Sequence, residues 1–162
     1  MIRRVFVVAA LLCGLPTLPV QAGTDVENGN PESSPFDPKA DARADVDAAL
    51  TRAKTGKRMT LIVMGANWCH DSRALAGWLS QPDFAAMVAA RYELVYVDVG
   101  YKNRNIDVAR RFGIKSIKGT PTVLIVSSNG KLLNKKDAPK WRNAGSRARD
   151  DIYRAFAEFT PA

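Results

Sequence analysis

Met59-Thr60-Leu61-Ile62-Val63-Met64-Gly65-Ala66-Asn67-Trp68-Cys69-His70-Asp71-Ser72 is the stretch on which the reading of this chain turns. Residues 59–64 form a short apolar run that fits a strand buried on both faces. Gly65-Ala66-Asn67 turns the chain, and a helix is expected to begin near Cys69 and run through Trp78 and Leu79. Cys69 therefore falls between a buried strand and the first turn of a helix. That turn presents unpaired backbone N–H groups and the positive end of the helix dipole, and both favour a thiolate over a thiol. The thiolate is the species that attacks disulfides. Next to it, His70 either adds positive charge or is a plain exposed residue, and Trp68 is placed to cover one side of the sulfur. Against reactivity stands the common fate of a free cysteine, which is to be buried and inert.

Outward from this stretch the pattern alternates. A helical spacing of Val46, Ala49 and Leu50 starts from Ala40 and ends before Gly56. Pro82 opens a further helical stretch with Phe84, Met87 and Val88, and Leu94 to Val99 reads as a second strand. Ile106 to Phe112 reads as a short helix closed by Gly113. Thr122 to Val126 is a third strand, and Ser128-Asn129-Gly130 turns the chain into a fourth at Lys131 to Leu133. Ile152, Phe156 and Phe159 line one face of a last helix beginning near Ser146. This order predicts an α/β fold, a central mixed β-sheet flanked by helices on both faces. Trp78, Phe84 and Met87 are assigned to its core. Trp141, between Lys140 and Arg142, either caps the surface or meets a partner.

The N-terminus reads as a signal peptide over residues 1–22. Arg3 and Arg4 precede an apolar run from Val5 to Leu12, and Val20-Gln21-Ala22 supplies a cleavage site after Ala22. The run is too short for a stable membrane span, so the expected location is the periplasm or the exterior, without membrane insertion after cleavage. Cleavage removes Cys13 and leaves Cys69 as the single thiol. In an oxidising compartment such a leftover cysteine is either reactive or well buried. Residues 23–40, rich in Gly, Asn, Ser, Pro and acids, read as a flexible leader. The folded domain is then residues 41–162.

Composition narrows the function classes. With 46% hydrophobic and 25% charged residues among 162, the chain is neither a disordered polymer nor a disulfide-stapled mini-protein. Its net charge of +8 is uneven: residues 23–50 hold seven acids and two bases, residues 101–149 thirteen bases and two acids. The basic block either solvates one face or attracts an anionic partner. Export and the lack of a nucleic-acid-binding motif argue against nucleic acid. A structural zinc needs four ligands, and the mature chain offers one cysteine and one histidine, so no metal is expected.

Three features together resemble the thioredoxin-like superfamily over about residues 42–160. These are the apolar strand before Trp68-Cys69-His70-Asp71-Ser72, then Gly119-Thr120-Pro121-Thr122 leading into a strand, then the strand, Asn-Gly turn, strand and helix of the C-terminal part. The resemblance implies that Cys69 is the nucleophile and that Pro121 is a cis-proline packed beside it. It further implies that the backbone of Thr120 pairs with an extended substrate segment. Two positions depart from the family pattern. Ser72 stands where a dithiol enzyme has its second cysteine, and Val63 stands where the family has a buried acid. A hydroxyl closes the step in which a second thiol resolves the mixed disulfide, and the absence of the acid, which helps move protons in that step, is consistent with its loss. The Cys-x-x-Ser pattern is similar to monothiol glutaredoxin-type proteins and to endoplasmic reticulum proteins of the anterior gradient type. The Trp-Cys-His opening is similar to a subgroup of bacterial envelope proteins. What these resemblances imply is a lone thiolate that captures a client protein or glutathione as a mixed disulfide, released by an external thiol. No bound cofactor is implied. Glutathione would act as a co-substrate, and an envelope redox partner would supply reductant. Ser72 either donates a hydrogen bond to the thiolate or fills space. The rival reading is a redox-inert binding or chaperone module that holds clients around Trp68 and Pro121.

Overall fold

A computed structural model describes residues 29–160. The expected signal segment and Cys13 lie outside the described residues. Among the described residues, no helix is long and apolar enough to cross a membrane.

The central strand is β1, Met59–Gly65, buried along nearly its whole length. It pairs in parallel with β2, Tyr92–Asp98, and antiparallel with β3, Thr122–Val126, giving the order β2-β1-β3. Alternation along the strands sorts the core into two clusters, because successive side chains point to opposite faces. Leu61, Val63, Val123 and Ile125 pack on one face with α2 (His70–Leu79), α3 (Pro82–Arg91) and α5 (Arg149–Ala157). Ile62, Met64, Val95, Val97, Leu124 and Val126 pack on the other with α1 (Ala42–Thr55) and α4 (Ile106–Arg111). Both faces of the sheet are thus covered by helices, which is why β1 reads as a continuous apolar run rather than an alternating one.

Local signals set most of the boundaries. Asp41 caps α1, its carboxylate accepting the Arg43 and Ala44 N–H groups at 3.2 and 3.1 Å. The left-handed residue after α1 is Lys57, with φ 52°, not Gly56, whose φ is −81°. At the end of α4 the glycine does take that role: Gly113 has φ 76°.

The structure departs from the sequence reading in three places. The fourth strand shrinks to a single bridge between Val126 and Leu132, followed by Leu133 N–H donating to Ile125 O at 2.8 Å. The buried Asn134 carboxamide takes over from there. Its Oδ1 accepts the Ile125 N–H at 2.8 Å and its Nδ2 donates to Val123 O at 2.9 Å. One side chain thereby satisfies the edge groups that a further strand would otherwise have to meet. The backbone then folds into short 3-10 turns at Ala138–Trp141 and Ala144–Ser146, and α5 begins at Arg149 rather than near Ser146.

The third departure is the leader. Over its described part, residues 29–40, the segment expected to be flexible packs on the domain instead. Phe36 is fully buried and meets Tyr96 edge to face, with ring centroids 5.4 Å apart. The Asn67 carboxamide clasps the Phe36 backbone, accepting its N–H at 3.1 Å and donating to its carbonyl at 3.0 Å. Farther along α2, Gly77 lets the chain pass close: a Cβ there would lie 2.0 Å from Pro31 O. One large aromatic and matched backbone hydrogen bonds outweigh a polar composition.

Trp141 is buried, stacked on Phe156 at 4.6 Å with the Arg147 guanidinium over its ring, so it belongs to the core rather than to a partner surface.

Candidate functional site

The site forms where β1 hands over to α2. The Ala66–Trp68 turn brings Cys69 to the N-cap of α2, with its N–H on Ala66 O at 3.0 Å and its carbonyl accepting the Arg73 N–H at 3.0 Å. Among the described residues no side chain caps this helix end, which leaves its first N–H groups available to an anion. Across from it, Thr120 and Pro121 are joined by a cis peptide bond. The Cys69 Sγ lies 3.3 Å from Thr120 O, close enough for the thiol to donate there, and the residue keeps 9% of its surface open. The thiol proton is thus directed at a carbonyl, whereas the ionised sulfur has the first turn of α2 beside it. The structure therefore brings Cys69, Thr120 and Pro121 together.

The other expected residues spread around this centre. The Trp68 indole N–H donates to Gly100 O at 3.0 Å and the ring stacks on Tyr101, 5.4 Å between centroids. Trp68 and Tyr101, 48% and 76% exposed, are the two large hydrophobic residues left in solvent among the described residues. The Ser72 hydroxyl is fully buried and, among the described residues, has no hydrogen-bond partner, the Cys69 sulfur included. Val63 is buried within the apolar cluster under α2, so this position carries no proton-handling group.

His70 is exposed and held. Its Nδ1 lies 2.7 Å from Glu32 Oε1, and Arg73 Nε donates to Glu32 Oε2 at 2.8 Å. The Arg73 guanidinium first, and His70 second, hold the Glu32 carboxyl below the usual carboxylate range. In turn Glu32 raises Arg73 above the ordinary arginine value, with the Cys69 charge a smaller cause in the same direction. Asp71 accepts the Gly145 N–H at 2.8 Å, and Gly145 packs so closely that a Cβ there would lie 2.6 Å from His70 Nε2. The Arg142 side chain lies against Gly119, at the start of the proline loop. Among the described residues, no three His, Cys, Asp or Glu side chains gather as a metal site.

A family model described as thioredoxin-like matches residues 41–128. The chain belongs to the thioredoxin-like family. The disulphide isomerase from Xylella fastidiosa Temecula1, a solved structure, is 36% identical, with a TM-score of 0.73, and the match covers 78% of this chain and 96% of that one. A thioredoxin from Thermus thermophilus, 23% identical over 69% of this chain and 81% of its own, with a TM-score of 0.51, agrees in fold. Among curated proteins no match to the chain is found. Membership of this family supports thiol–disulfide oxidoreductase chemistry at the family level, with protein thiols and disulfides as the general kind of partner.

Sequence reasoning missed Glu32, Arg73, Tyr101, Arg142 and Gly145. Arg73 carried a usable signal, because it stands four residues after Cys69 and so on the same face of a helix that starts there. Glu32 carried none, since its segment had the composition of a disordered leader. Part of the basic block is internally paired, Arg111 with Asp47 and Arg104 with Asp98, while Lys115, Lys118 and Lys135 line an open cleft of about 360 Å³.

Proposed function

We propose that this protein is an exported thiol–disulfide exchange protein of the bacterial envelope that works through Cys69 alone. The observation that carries the reading is the sulfur at an uncapped helix N-terminus, 3.3 Å from Thr120 O beside cis Pro121, with a serine where a resolving thiol would stand. The ionised sulfur attacks a disulfide R–S–S–R′. A Cys69–S–S–R bond forms, the S–S bond of the client breaks, and R′–S⁻ leaves with the electron pair. Ser72 has no thiol to expel R, so a second external thiolate R″–S⁻ attacks the R sulfur, restores the Cys69 thiolate and yields R–S–S–R″. Each cycle exchanges partners without net oxidation, which suits disulfide reshuffling or deglutathionylation. R is a client protein thiol or glutathione. The cationic Arg142 and Lys118 near the proline loop support a carboxylate-bearing thiol such as glutathione, and an envelope redox partner is a further source of R″–S⁻.

The test follows the adduct. Oxidised glutathione should add one glutathionyl group to Cys69, removed again by excess thiol, and Cys69→Ala should abolish it. Ser72→Cys should raise turnover in an insulin-reduction assay by supplying the missing resolving thiol. The rival, a redox-inert binding or chaperone module, draws on the exposed Trp68–Tyr101 stack beside the site. Under that reading Cys69→Ala leaves client binding and phenotype intact, whereas Trp68→Ala abolishes them.

A further inference from the structure

Residues 30–36 cross α2 as a strap fastened along its length. The Phe36 ring is buried and its backbone is clasped by Asn67 at 3.1 and 3.0 Å. The Ser33 N–H donates to Arg73 O at 3.1 Å, Pro31 sits against Gly77, and the Asn30 carboxamide donates to Gly145 O. At the middle of the strap both oxygens of Glu32 are engaged, Oε1 with His70 Nδ1 at 2.7 Å and Oε2 with Arg73 Nε at 2.8 Å. Because an ionised carboxylate only accepts, His70 must carry its proton on Nδ1. The same guanidinium donates from its other branch to Asn67 O at 2.9 Å, two residues before the nucleophile. Arg73 is therefore pinned between the strap and the turn that carries Cys69.

We infer that Glu32 is a positioning residue for the thiol exchange proposed above, fixing the Arg73 guanidinium against the turn that carries Cys69 so that the reactivity of the sulfur depends on the docked strap. The inference rests on Cys69 being a nucleophile. An isolated exposed ion pair contributes little to stability. Here the consequence is placement: Glu32 meets Arg73 Nε at 2.8 Å and Nη2 at 3.5 Å, which holds a planar cation in one orientation four residues along α2 from Cys69, and a cation near a cysteine is the setting that favours thiolate chemistry. The charged and titratable side chains on the elements that carry the site are Glu32 on the strap, His70, Asp71 and Arg73 on α2, and Arg142 against Gly119 of the proline loop. Only Arg73 and His70 are held by Glu32; Asp71 is engaged by Gly145 N–H instead.

The experiment measures the rate of Cys69 alkylation by iodoacetamide from pH 5 to 9 in full-length chain carrying Cys13→Ser. The same chain unfolded in urea provides the reference rate. Glu32→Ala and Arg73→Ala should each slow the folded chain at pH 7 by about fivefold, the upper end for a partly exposed charge pair, and shift the pH–rate profile to higher pH. The double variant should be no slower than Arg73→Ala alone, since Glu32 acts through Arg73. Glu32→Asp should recover part of the rate. A fast folded wild type with an unchanged Glu32→Ala profile overturns the positioning role alone. An additive double variant overturns the route through Arg73. A folded wild type no faster than the unfolded reference overturns the nucleophile reading itself, and this inference with it.

Discussion

Replacing Phe36 by alanine removes an aromatic side chain that is fully buried in the cluster beneath α2 and that meets Tyr96 edge to face at 5.4 Å. Losing a buried Phe side chain costs about 3–5 kcal/mol, transfer and cavity terms together, of which about 0.5–1.5 kcal/mol reflects the aromatic pair. For a domain of this size each kcal/mol lowers Tm by roughly 2–4 °C. Phe36→Ala should therefore lower the melting temperature by roughly 6–20 °C. The loss should be cooperative, in a single transition, because the ring belongs to the same core as Leu75, Phe84 and Phe156. Urea unfolding followed by tryptophan fluorescence gives the free energy directly, and Asn67→Ala, which opens the clasp on the Phe36 backbone, should lose a smaller amount in the same direction. A Phe36→Ala variant within about 1 kcal/mol of wild type, below the range for any buried aromatic, would refute the claim that the strap is part of the domain.

Three further outcomes follow from the same reasoning. Asn134→Ala should destabilise by about 2–5 kcal/mol, since it strands the Ile125 N–H and the Val123 carbonyl at a buried edge; thermal melts check this. Ser72→Ala should be neutral or stabilising by up to about 1–3 kcal/mol, because the hydroxyl it removes is buried without a partner among the described residues, and a marked loss of stability in urea melts would contradict that. Tyr96, pushed up to about 12 by burial, should stay un-ionised in a spectrophotometric titration well past pH 10. A raised folded-state value means that the neutral phenol is favoured by the fold. Its contribution, about 3 kcal/mol at most, is complete below pH 10 and declines as the pH rises toward about 12. Urea melts across that range, compared with Tyr96→Phe, measure the decline.

The parts of this molecule legible in the sequence are those written in periodicity and in local capping. The continuous apolar run of β1, the alternation of elements, and the placement of Cys69 at a helix start all read directly, because each depends on neighbours within a few residues. The sheet edge beyond β3 did not, since a single buried side chain, Asn134, stands in for backbone pairing and carries no pattern. The strap did not either. Its composition matches a disordered leader, and its order rests on Phe36 reaching a pocket formed by residues far along the chain, with Asn67 clasping it across an interval of 31 residues. The same non-local contact hid Glu32, which matters only once residues 30–36 lie on α2. Trp68 was visible as a neighbour of the sulfur, but its stacking partner Tyr101 sits in a loop that only the parallel pairing of β1 and β2 brings alongside.

The most direct test of the central claim compares one sulfur in two states of the same chain. Cys13→Ser protein, folded or unfolded in urea, is mixed with oxidised glutathione at pH 7, and intact mass is followed over time. The account predicts a single glutathionyl adduct on Cys69 that forms faster in the folded chain than in the unfolded one and is fully reversed by added thiol. Slower reaction in the folded chain, or none, would show that the fold hides this cysteine rather than arming it.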